Sequence, residues 1–196
     1  MANKVTYGLS NLHVAQLTAE ASGQTTTPTY GTVTPVPGLV QFTYDAESND
    51  FTFAADNSAY YSGTYGGLGY TGDLEVALFP DELLAELLGW IVDSKGGLVE
   101  VSDATAAQFA LGFQVEGDAA GRRTWFYNCK LARPNGDHET VDDTIDVATQ
   151  TAPITMLPIK VDGRSVVKYS LERTTANATT YDAFFDAVTF PTVSNG

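Results

Sequence analysis

Between Lys4 and Lys95 the chain has no lysine and no arginine, while the same interval holds 11 acidic residues. Over all 196 residues there are 24 acids against 10 bases, a net charge of −14. Such a surface repels nucleic-acid phosphates and anionic lipid headgroups rather than binding them. It also keeps a crowded protein dispersed, so solubility alone is a sufficient reason for it. Cysteine is almost missing. Cys129 stands alone, which excludes an internal disulfide and reads as a small core residue in a strand. No apolar run approaches the ~18 residues of a membrane helix. The opening Met-Ala-Asn-Lys lacks the apolar core of a signal peptide. The expectation is a chain made in a cytoplasm.

Catalytic signatures are also missing. There is no Gly-x-Ser-x-Gly, His-Glu-x-x-His or Walker motif in the sequence. Gly67-Leu68-Gly69-Tyr70-Thr71-Gly72 matches the dinucleotide fingerprint in letters. That fingerprint must open a helix, whose N-terminus holds the pyrophosphate, and here a strand pattern follows. The histidines are His13 and His138 alone. Asp137-His138-Glu139 invites a metal reading, but neighbouring residues in a strand point to opposite faces. Asp142, Asp143 and Asp146 lack the glycine and terminal glutamate of a calcium loop. We expect no enzyme, no cofactor and no metal site.

What is present is a succession of strand patterns. Val5 to Leu17 reads as a first strand, with Leu12 and Val14 on one face and Ala15 and Leu17 on the other. Glu20 to Pro37 has no period and carries three prolines and a run of threonine, so it reads as an extended loop. A loop of that length is usually functional or mobile. Leu39–Tyr44 and Asp50–Ala55 read as strands, with a turn or bulge at 45–49. Phe109–Val115 and Trp125–Leu131 form the clearest hairpin, each alternating over its length. On that parity Trp125, Tyr127, Cys129 and Leu131 share a face. Pro134-Asn135-Gly136-Asp137 is a turn signal, and 141–147 is a weak strand pattern. Ile154–Val161 pairs with Val166–Arg173 across Asp162-Gly163, with Pro158 marking an edge or bulge. Thr180 is placed to cap a short final helix bearing Tyr181, Phe184, Phe185 and Val188. Many strands with two short helices point to a mainly β domain over 1–196, a sandwich or barrel with a flanking helix.

The stretch from Ala54 to Gly89 organises the chain. A Tyr/Gly-rich loop comes first. Leu68, Tyr70, Leu74, Val76 and Leu78 then share one parity, with Thr71, Asp73, Glu75 and Ala77 on the other, which is a half-buried strand. After Phe79 the period changes. Pro80 suits a helix start and Asp81 and Glu82 its positive end. Leu83, Leu84, Leu87 and Leu88 form one apolar stripe, expected to pack on the subunit's own sheet, and Gly89 supplies the stop.

This stretch resembles the major tail proteins of long, non-contractile-tailed bacteriophages (siphophages). The resemblance is carried by Ala55-Asp56-Asn57, Gly69-Tyr70-Thr71-Gly72, Phe79-Pro80-Asp81-Glu82 and Gly89, and by the N-terminal run Val5 to Ala15. It covers the first half of the chain. It implies a β-sandwich or barrel of the tail-tube type without a separate C-terminal Ig-like domain. It also implies a structural virion protein forming hexameric rings that stack into a tube, the conduit for DNA ejection. The implied partners are further copies, a tape-measure protein, a tail terminator and a distal tail protein, with no membrane. DNA passes without specific binding. The implied location is the virion, assembled in the bacterial host cytoplasm.

On that footing Gln24, Thr27, Tyr30 and Thr34 are candidates for a stacking loop, with 23–37 disordered in the free subunit. Asp45, Glu47, Asp50, Asp73 and Glu75 are candidates for acids facing the bore. Arg122, Arg123, Lys130 and Arg133 sit on or beside one strand of the clearest hairpin. They read as a nucleic-acid patch, as a contact to a neighbour's acidic surface, or as a solvated edge. A non-catalytic carbohydrate-binding or adhesive β-sandwich is the alternative reading, using Tyr60, Tyr61, Tyr65 and Tyr70 as a platform.

Overall fold

The computed structural model describes residues 3–22, 26–55, 58–136, 140 and 147–192, with backbone alone between 49 and 68. The chain is mainly β. Its frame is one antiparallel sheet of nine strands, ordered β2-β1-β8-β9-β10-β5-β4, with β3 also on β1 and β13 also on β9. The long members are β1 (Thr6–Ala19), β4 (Leu39–Ala55), β5 (Ser58–Val76), β8 (Phe109–Gly117), β9 (Arg122–Leu131) and β10 (Gln150–Leu157). The short ones are β2 (Thr29–Tyr30), β3 (Thr34–Pro35) and β13 (Lys168–Glu172). Two separate ribbons pair β6 (Ile91–Val92) with β7 (Leu98–Val99) and β11 (Ile159–Val161) with β12 (Arg164–Val166).

The sheet curls on itself. Phe42 of β4 and Phe113 of β8 have ring centres 5.2 Å apart. Four strand spacings of ~4.8 Å would put a flat sheet's β4 and β8 roughly 19 Å apart. The inner face holds the larger core, including Leu12, Leu74, Val76, Leu111, Phe126, Ile154 and Met156. Helix α1 (Asp81–Leu88) adds Leu83, Leu84, Leu87 and Leu88 to that core. This stripe packs within the subunit. Gly89 ends the helix at φ 71°, a left-handed position that glycine takes without steric cost.

A second core lies on the outer face. Trp125, Tyr127, Ala110 and Phe184 are fully buried there, under the segment that begins with α2 (Ala178–Asp182). Trp125 Nε1 donates to Phe184 O at 2.9 Å, and Tyr127 Oη donates to Thr189 O at 2.7 Å. This second cover explains why Phe109 to Phe113 and Thr124 to Cys129 are buried on both faces rather than alternating.

Several elements differ from the sequence pattern. Residues 39–55 form one strand. Its polar middle continues the strand rather than turning. The register shift between Glu47 and Asn49 comes from extra residues on β5, between Tyr65 and Gly69, a bulge in the partner strand. The Tyr/Gly stretch is part of β5, because β4 offers a continuous ladder to Ala55↔Ser58. Leu78 is exposed, because β5 ends at Val76 and the chain turns away. The region 20–37 contains two strands on β1, pairing Leu17↔Tyr30 and Val14↔Thr34. Cys129 and Leu131 lie in the inner core, while Trp125 and Tyr127 lie in the outer one. Between Phe109↔Cys129 and Leu111↔Phe126, β9 carries one residue more than β8, and that bulge inverts the parity.

The Asp162-Gly163 turn closes β11 on β12, with φ 48° and 77°, as a primed hairpin turn requires. β10 instead pairs β5 and β9, and β13 pairs β9. β10 is therefore a central strand, and Pro158 marks the break between it and β11. The final helix starts at Ala178 after Asn177, one turn before the cap expected at Thr180. Asp137-His138-Glu139, Asp142, Asp143, Asp146 and most of the 141–147 pattern lie outside the described residues.

Candidate functional site

The hairpin of β4 and β5 separates its two faces by chemistry. Phe42, Tyr44, Tyr70, Leu74 and Val76 take the inner parity and join the core. Gln41, Thr43, Asp45 and Glu47 take the outer parity on β4, and Thr71, Asp73 and Glu75 take it on β5. Of these, only Glu75 is more than marginally covered. Four of the five acids singled out in the sequence therefore share one bare face. The fifth, Asp50, lies where only the backbone is described. The face continues across β10, where Thr151, Pro153 and Thr155 oppose Glu75, Asp73 and Thr71.

The register keeps the acids apart. Gln41 stands opposite Glu75, Thr43 opposite Asp73, and Asp45 opposite Thr71. No carboxylate in this set faces another directly, the arrangement that would destabilise the pair. Asp45 and Asp73 are diagonal neighbours, roughly 7–8 Å apart in such a ladder. Thr149 Oγ1 donates to Glu75 Oε1, which anchors that carboxylate at the side of the face. The result is a field of negative charge on β4 and β5, and the row through Thr71 and Thr155 ends at the exposed Lys130 on β9.

Beside this face lies an open edge. Among the described residues β4, a strand of seventeen residues, pairs with β5 alone, so its other side is an edge without a ladder partner, part of which lies beside β1. Natural edges are normally short, bulged or guarded by charge. This one is long, with its own bulge at its start, between Leu39 and Gln41, and acids at 45 and 47. Outward of Glu47↔Gly69 the β4–β5 pair has no third strand among the described residues, since β10 stops at Met156↔Tyr70. The hairpin thus leaves the sheet as a two-stranded arm.

The candidate stacking residues divide. Gln24 lies outside the described residues. Thr34 is exposed on β3, and Thr27 is half-buried. Tyr30 is committed to the subunit. Its hydroxyl donates to Tyr127 O at 2.6 Å and its ring sits 6.1 Å from Phe190. Burial, then the nearby Cys129 and Glu20, hold the Tyr30 phenol well above its ordinary titration range.

The basic cluster is dispersed. Arg122 pairs with Glu172 at 3.7 Å and Arg133 with Glu100 at 2.6 Å, while Lys130 is exposed. Arg123 is a structural clasp. Its Nε donates to Gln114 Oε1 at 2.9 Å, its Nη1 to Tyr181 O, and its guanidinium lies 4.3 Å from the Tyr181 ring centre. The Gly67–Gly72 run lies within β5 and opens no helix. No group of three His, Cys, Asp or Glu side chains fit to hold a metal occurs among the described residues. Tyr70 meets Tyr44 and Phe126 edge-on inside the sheet, at 5.5 and 5.6 Å. Tyr60, Tyr61 and Tyr65 lie where backbone alone is described.

Sequence reasoning missed Lys168. It enters the same aromatic group from β13, and no local pattern announces a contact so distant in sequence. No protein-family model matches the chain, and no curated protein matches it.

Proposed function

We propose that this chain is a tube-forming structural protein, the tail-tube subunit of a long, non-contractile phage tail. The observation that carries the reading is the outer edge of β4, which has no ladder partner among the described residues, beside a bare acidic face. An open edge at one end of a curled sheet suits head-to-tail joining of copies. Heterologous joining closes into rings when the rotation allows it. Six copies per ring, stacked rings, and contacts to a tape-measure protein, terminator and distal tail protein follow from the family resemblance in the first half of the chain. So does the finer architecture, a tail-tube barrel.

In this reading the face bearing Asp45, Glu47, Asp73 and Glu75 lines the bore. DNA leaving through the tube must not stick to the wall. Each lysine or arginine reaching a phosphate would release counterions and add affinity. Carboxylates keep the phosphates off the wall within a Debye length of about 8 Å. The β4–β5 arm and the exposed Thr34 on β3 are the parts placed to reach an adjacent ring. The role is structural rather than catalytic, in a virion built in the host cytoplasm.

Negative-stain electron microscopy of the purified protein tests the reading. Rings or long tubes are expected. A protein that stays monomeric at every salt concentration and binds glycans on an array would replace this reading with the adhesive-module alternative. In a tube map at side-chain resolution, these four carboxylates on the outer wall would refute the bore assignment.

A further inference from the structure

Lys168 stands opposite Phe126 in the β13–β9 ladder. Its Nζ lies 4.6 Å from the Tyr70 ring centre, 5.0 Å from Tyr44 and 5.5 Å from Phe126. Three ring faces attract the ammonium without neutralising it. The side chain is half-buried and makes no ion pair among the described residues. Lys130 also lacks a carboxylate but is exposed, whereas Lys168 is half-buried among three rings.

The ammonium opens into a cleft of about 350 Å³ where the β4–β5 arm leaves the sheet. Ala46, Glu47, Gly69 and Tyr70 line one side, and Ser165 and Lys168 the other. We propose that this cleft is a socket for an aspartate or glutamate side chain of a second copy of the chain. The proposal rests on the tube reading and names one point of contact within it. Charge complementarity selects the occupant. Copies that each carry −14 repel one another, so association needs places where a cation meets the neighbour's surplus acid. Lys168 is held ready for this role. The rings fix its position, and a charge-assisted bond to a carboxylate completes its partners in a partly dry site.

The test is carbodiimide coupling, which joins a carboxylate to an amine already in contact. Unlabelled and ¹⁵N-labelled protein are mixed, and the linked peptides are read by mass spectrometry. The expected product is a mixed-isotope peptide joining Lys168 to an Asp or Glu. Lys168→Met should raise the protein concentration needed for assembly at least about tenfold, and Lys168→Arg should restore most of it. Circular dichroism and the melting temperature confirm that both variants fold. Mixed-isotope links elsewhere with none at Lys168 would overturn the socket while leaving the tube reading intact. A link only to Glu47 of the same chain, or Lys168→Met assembling at the wild-type concentration, would do the same. If the wild type gives no mixed-isotope peptide while microscopy shows rings or tubes, the socket alone falls; if microscopy shows neither, the tube reading falls with it.

Discussion

Gly112 and Trp125 show how tightly single residues are specified. They face each other across β8 and β9, and a Cβ on Gly112 would lie 2.7 Å from the indole ring. The ring has no room to retreat, because Trp125 is fully buried and its Nε1 is held by Phe184 O. Gly112→Ala should therefore cost roughly 1–3 kcal/mol through overpacking, read as a lower denaturation midpoint with an unchanged slope. Three buried groups set a pH limit. Burial raises the titration of Tyr30, Tyr127 and Cys129 far above the ordinary range. In the unfolded chain these groups lose protons near pH 10 for tyrosine and about 8.5 for cysteine. Above those values the folded chain holds more protons than the unfolded one, so stability falls as pH rises. It is fully present below them. Denaturation midpoints should be flat from about pH 6.5 to 8 and decline steadily toward about pH 11. The slope should be shallower in Tyr30→Phe, which removes one titrating group.

At the scale of elements, α1 is the sharpest case of local coding. Its stripe, its acidic first turn and Gly89 are all within ten residues, and the helix runs from Asp81 to Leu88. Leu87→Ala should cost roughly 2–5 kcal/mol in the monomer, because Leu87 lies in the inner core beside Leu84. An unchanged melting temperature with lost assembly would move the stripe to an interface. Period 2 places Asp73 and Glu75 on one face of β5; Asp45 and Glu47 join them because 45–49, read as a turn or bulge, continues β4 in register with β5. Pairings between distant strands were not legible. Asp162-Gly163 signalled a hairpin correctly, but nothing local said that its strands would be β11 and β12 rather than β10 and β13. The extra residue in β9 left no signature either, so Trp125 and Tyr127 were placed on the face of Cys129. Two-residue strands such as β2 and β3 are too short to show a period. Lys168 joined Tyr44 and Tyr70 only through the curl of the sheet.

For the whole molecule, charge governs association. If copies carrying −14 join, added salt should lower the concentration at which tubes form, because it screens their repulsion. Light scattering across about 0.05–0.5 M sodium chloride would check this, and assembly weakened by salt would contradict it. The same charge bears on how the protein is made. β1 pairs with β8, which leaves the ribosome about a hundred residues later. β5 waits for β10 over a comparable stretch. At ~5–20 residues per second, the first strand spends roughly 5–20 s without its partner. During that interval the emerged chain can form the β4–β5 hairpin and the short β2 and β3 pairings on β1, and its first 94 residues carry a single lysine against 11 acids. Mutual repulsion between neighbouring nascent chains is then what keeps exposed strands from pairing with the wrong copy before their own partners are synthesised.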